Sequence, residues 1–94
     1  MKLRYTKRAL LDLVEIQDYI SADNPDAARR VIAEIELEID RLAEHPALGR
    51  TGRIEETREL VILRYPYVVA YREYSGEVQI LAIIHSARDW PDSM

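Results

Sequence analysis

Near its C-terminal end the chain reads AIIHSARDWPDSM, and His85 and Arg88 are its most chemically suggestive pair. An imidazole titrates close to neutral pH and can take or give a proton, while a guanidinium offers a planar fork of donors suited to phosphate. Three further arginines, Arg50, Arg53 and Arg58, gather within and just after one loop. Cleavage of RNA through its 2′-hydroxyl needs groups of these kinds: a base, an acid, and cations that stabilise a phosphorane-like transition state. The same residues suit a second task, in which arginines and the amphipathic ring of Trp90 grip a macromolecule without turning it over. On a purely structural reading, His85 caps a strand, Arg88 pairs with a carboxylate and Trp90 seals the edge of the core. The residue types alone leave all three open.

Other chemistries find less support. His45 and His85 are the only histidines and cysteine is absent, so neither a metal nor a disulfide framework is expected. Glycine occurs only at positions 49, 52 and 76, which leaves no phosphate-cradling motif, and no nucleophile elbow is present; no cofactor is expected. At 94 residues, 48% hydrophobic and 32% charged, the composition is that of one soluble domain covering 1–94. No apolar run approaches the roughly 20 residues that cross a bilayer. The opening MKLRYTKRALLDLV is charged throughout and unlike a secretory signal, which makes the cytoplasm the expected location. A net charge of −4 argues against general nucleic-acid binding. Charge is nevertheless uneven, with five arginines against three glutamates over 50–72 and five acidic residues against Arg41 over 33–44.

The elements that must position these residues follow from periodicity. Residues 2–5 read as a short edge strand. Thr6 is placed to cap a helix running to about residue 21, with Leu10, Leu13, Ile16, Ile20 and Val14 as its apolar stripe. Asn24 and Pro25 open a second helix, expected to reach about residue 44 and to bury Ala28, Val31, Ile32, Ile35, Ile39 and Leu42. Pro46, Gly49 and Gly52 break the periodicity of 45–53 into a loop. Beyond it, 58–63, 67–74 and 77–85 read as strands, the last two joined through Ser75-Gly76. The order implies an α+β domain: an N-terminal edge strand, and an antiparallel helix hairpin packed on one face of a mostly antiparallel three- to four-stranded sheet. So small a sheet is expected to leave a groove or apolar patch for an extended or helical partner segment.

Pro46-x-x-Gly49-Arg50, Tyr65-Pro66-Tyr67 and Ile84-His85-x-x-Arg88-x-Trp90-Pro91, set behind a helix hairpin, resemble the RelE/ParE toxin superfamily of bacterial type II toxin–antitoxin modules, in particular its ParE-like branch of plasmid stabilisation proteins. The resemblance covers almost the whole chain. It implies a compact toxin, hetero-oligomeric with a DNA-binding antitoxin whose C-terminal segment wraps its surface. ParE-like toxins act on DNA gyrase, whereas RelE-like toxins cut mRNA in the ribosome. The nuclease branch places a basic pair on the first strand of the later sheet, where this chain has Leu60-Val61-Ile62. An arginine expected on the next strand falls near Val68, and of the C-terminal arginine and tyrosine only Arg88 is matched. The resemblance therefore implies a toxin that binds gyrase, and the clustering of Arg50, Arg53, Arg58, His85, Arg88 and Trp90 at loop and strand ends marks them as the expected target-facing residues. The alternative is a ribosome-dependent mRNA endonuclease using His85 and Arg88.

Overall fold

A computed structural model describes residues 1–87. Arg88 and Trp90 thus lie outside the described residues. The elements run β1 (Lys2–Tyr5), α1 (Lys7–Ser21), α2 (Pro25–Asp40), a 3-10 turn (Arg41–Ala43), β2 (Arg50–Thr51), β3 (Arg58–Ile62), β4 (Tyr67–Tyr74) and β5 (Glu77–His85). They form the expected α+β fold, with a five-stranded sheet ordered β1-β5-β4-β3-β2. The count exceeds the expected three to four because the glycine-rich loop contributes the two-residue β2. β1 pairs parallel with β5, and the other pairings are antiparallel.

Both helices begin where their caps predict. The Thr6 hydroxyl accepts the Ala9 N–H at 3.2 Å and donates to the Ile80 carbonyl at 2.8 Å, so the cap of α1 is welded to β5. Asn24 accepts the Ala27 N–H at 3.1 Å, and Pro25 fills the first position of α2, where its missing N–H costs nothing. α2 stops at Asp40, four residues short of expectation, because the chain tightens into a 3-10 turn that still buries Leu42. Val31, Ile35, Ile39 and Leu42, spaced by three or four, pack on Leu60, Ile62, Tyr67, Val69, Tyr71, Val78, Ile80 and Ile83. Ile32 is only half-buried. In α1 the expected stripe is shifted: Ala9 is fully buried with Leu13, Ile16 and Ile20 beside the core, whereas Leu10 and Val14 are 52% and 53% exposed. A helix packed over one narrow strip of sheet buries a single row, so a wide apolar stripe overestimates its contact.

β5 lies between β1 and β4, as its nearly unbroken apolar run requires. The hairpin turn has positive φ at both Ser75 (55°) and Gly76 (78°), the handedness that matches strand twist. A bulge interrupts β5. Ala70 of β4 faces Ala82 while the next residue, Tyr71, faces Ile80, leaving Leu81 as the extra residue. That one residue rephases the strand. Val78, Ile80 and Ile83 join the helix-side core, and Ala82 and Ile84 form a separate buried cluster with Ala70. By alternation beyond Ile83, His85 also faces the helices. No helix among the described residues is long and apolar enough to cross a membrane.

Candidate functional site

The residues singled out by their chemistry divide between two places. His85 ends β5 in an open cleft of about 530 Å³ beside α1, walled by Arg8, Asp12, Glu15, Tyr19 and Tyr67. β1 accompanies β5 only as far as Ile80, so the edge of β5 beyond that point is open. Asp12 closes part of it by accepting the Ile83 N–H at 2.9 Å, and Arg8 approaches the same carboxylate at 3.9 Å. The His85 ring meets Tyr67 edge-on, with centroids 5.4 Å apart, and its Nδ1 accepts the Ala87 N–H at 3.1 Å. That bond leaves Nε2 to carry the proton of the neutral ring. His85 is thus fixed in orientation among one cation, two carboxylates and two phenols, a setting suited to contact with a polar partner group.

The arginines occupy the far edge of the sheet. Glu59, on β3, has a side chain only 3% exposed and is gripped by two of them. Its Oε1 accepts from Arg50 Nη2 at 2.9 Å and Nε at 3.2 Å; its Oε2 accepts from the Arg53 backbone N–H at 2.9 Å and Nε at 3.2 Å. Burial pushes the Glu59 carboxyl upward, but these donors from Arg53 and Arg50 outweigh it and hold the group below its ordinary value. Arg58 donates to the Gly49 carbonyl at 2.9 Å. Tyr71 completes the latch: its hydroxyl donates to the Pro46 carbonyl at 2.7 Å and accepts the Gly49 N–H at 2.8 Å. A Cβ on Gly49 would lie 2.7 Å from that hydroxyl and 2.9 Å from the Glu59 carbonyl oxygen, so the approach requires glycine. The motif Pro46-x-x-Gly49-Arg50 is, in this chain, a clamp that ties the loop to the sheet.

The two places do not converge. Arg58 stands opposite Tyr71 in the β3–β4 register, whereas His85 stands opposite Tyr67 at the other end of β4. Four residues at roughly 3.3 Å each separate those positions by about 13 Å along the strand. Arg50, Arg53 and Arg58 therefore share an edge with one another and not with His85. Where a nuclease would need cations, β3 presents Leu60 and Ile62, both buried, and the partly exposed Val61; Val68 on β4 is also buried. Beyond Glu59, β2 no longer covers β3, and a groove of about 300 Å³ opens along its outer edge over Leu48, Val61 and Leu63. Sequence reasoning missed the α1 wall of the cleft and the buried Glu59. An acidic residue inside an apolar strand, downstream of two loop arginines, was the available signal for Glu59. Asp12 carried none, since it reads as an ordinary polar position of an amphipathic helix.

Comparison with known proteins agrees with this architecture. Residues 3–90 match the family model described as ParE toxin of type II toxin–antitoxin system, parDE. The chain is 51% identical over 90 residues to the Y4kP protein of Sinorhizobium fredii, covering 96% of this chain and 93% of that protein. It is 43% identical over 84 residues to Toxin RelE2 of Caulobacter vibrioides, covering 89% and 93%. Among solved structures, a chain of the chromosomal ParDE system from P. aeruginosa superposes with a TM-score of 0.82 at 28% identity, covering 90% of this chain and 95% of that one.

Proposed function

The chain belongs to the ParE toxin family of type II toxin–antitoxin systems, and from that premise we propose that it acts by binding DNA gyrase, without catalysis of its own, and is held inactive by a cognate antitoxin. The observation that carries this reading is the separation of His85 from the cluster of Arg50, Arg53 and Arg58. Acid–base cleavage of a phosphodiester requires proton-transfer groups and cations within reach of one scissile phosphate. Here Arg50, Arg53 and Arg58 are spent on Glu59 and on the Gly49 carbonyl, about 13 Å along the sheet from His85, and the cation beside His85, Arg8, lies against the Asp12 carboxylate. The loop side chains remain about half exposed, Arg50 at 56% and Arg53 at 50%, so they keep a face for a macromolecule while fixed in place. Pre-fixed arginines lose little further side-chain entropy on binding, which suits recognition.

The antitoxin finds two complementary surfaces: the open outer edge of β3 with its apolar groove, and the His85 cleft. An extended segment laid along β3 satisfies the backbone groups that β2 leaves uncovered. A second reading, mRNA cleavage with His85 as the proton-transfer group, is favoured by the likeness to Toxin RelE2 and by the fixed tautomer of His85. Purified gyrase separates the two. The binding reading expects loss of supercoiling and accumulation of cleaved DNA complexes with message left intact in a translation extract. Unaltered supercoiling together with cut message overturns it.

A further inference from the structure

α1 presents three faces, each built on the same spacing. Positions 9, 13, 16 and 20 pack on the core, and positions 8, 12, 15 and 19 wall the His85 cleft. The third face, positions 7, 11, 14 and 18, points away from both. Leu11 and Val14 on it are 52% and 53% exposed, with Leu10 at 52% on its flank, and Lys7 and Asp18 stand exposed at its two ends. Lys7 and Asp18 have no ion-pair partner among the described residues.

We propose that this face of α1 is a two-fold self-association surface, in which α1 pairs antiparallel with α1 of a second copy of the chain. The face is self-complementary. Antiparallel pairing about a point between Asp12 and Leu13 sets Lys7 of each copy opposite Asp18 of the other, and Leu11 opposite Val14. An apolar centre is then closed at both ends by opposite charges, and a two-fold axis requires each contact to occur twice. A parallel arrangement would instead set Lys7 against Lys7 and Asp18 against Asp18. The spacing of 4, 3 and 4 is that of a helix–helix seam. At about 1.5 Å per residue, a 15-residue helix gives a seam of only some 22 Å, so the dimer is a weak, concentration-dependent one. The cleft-facing residues Arg8, Asp12, Glu15 and Tyr19 stay clear of it, and the proposal does not depend on which target the toxin binds.

Charge reversal tests this with the full chain in sedimentation velocity across a concentration series. Lys7→Glu and Asp18→Lys each replace two attractions by two repulsions and should each weaken the dimer about tenfold. Neither change harms the helix, since an acid near its N-terminus and a base in its last turn both favour the helix dipole. Mixed in equal amounts, the two variants should recover the dimer, because each reversed charge then meets its opposite on the other chain. Val14→Glu, with circular dichroism unchanged, should abolish association altogether. A wild-type chain that stays monomeric at every concentration overturns the proposal, as does a mixture that fails to recover. So does a Val14→Glu variant that loses antitoxin binding alone, which would assign the face to the antitoxin.

Discussion

At the scale of single residues, the loop clamp carries the clearest consequences. Tyr71→Phe deletes one hydroxyl that serves both the Pro46 carbonyl and the Gly49 N–H, and leaves that buried N–H without its partner. The expected cost is about 2 kcal/mol, read as a lower urea midpoint, with faster amide exchange confined to the segment around 46–53. Gly49→Ala should cost at least as much, because Tyr71 is held between two strands and cannot retreat. Glu59 supplies the pH dependence. Its carboxyl, lowered from a usual value near 4.5, contributes stability in full above that pH and loses it as pH falls through the lowered folded value. Glu59→Gln should therefore cost about 1–2 kcal/mol at neutral pH, since Arg50 and Arg53 can turn to solvent, and should flatten the acid limb of a stability–pH curve. If the acid limb is unchanged in the variant, another carboxylate is responsible. Of this clamp, only the odd placing of Glu59 in an apolar strand left a mark on the sequence. Loop arginines read as target-facing, and only the fold reveals that Glu59 points back at them.

At the scale of elements, the sequence was most informative where one local rule acted alone. Thr6, Asn24-Pro25 and Ser75-Gly76 each marked a boundary by its own backbone chemistry, and all three stand where expected. The buried row of α2 followed from its period, and Ile35, fully buried at its centre, gives the test: Ile35→Ala should cost about 2–5 kcal/mol. What was not legible came from pairing across the sheet. Arg50–Thr51 becomes a strand only because Glu59 and Arg58 lie opposite it. The extra residue at Leu81 is invisible in an apolar run where every position looks alike, yet it turns Ile83 and His85 toward α1. His85 therefore has its cleft through a bulge, and its role is open to test. His85→Asn keeps an acceptor for the Ala87 N–H but cannot relay a proton. Growth arrest by this variant should stay within a few-fold of wild type, whereas a catalytic histidine would cost about 10²-fold or more.

At the scale of the whole molecule, a single sheet separates two surfaces of different character. One edge carries the fixed arginines and the uncovered part of β3; the opposite side, beneath α1, carries the His85 cleft. An overall charge of −4, with Arg50, Arg53 and Arg58 gathered at one edge, suits a protein partner better than a nucleic acid, which would reward basic charge spread along a path. Family membership was readable from short motifs spread across the chain, two of which build the clamp and the turn between β3 and β4. The target was not readable in the same way, since it depends on whether distant side chains converge. The most direct test is DNA supercoiling by purified gyrase in the presence of the isolated full chain. Supercoiling should be lost and cleaved complexes should accumulate, and adding the cognate antitoxin should restore activity. Normal supercoiling at toxin concentrations that arrest growth would contradict gyrase binding.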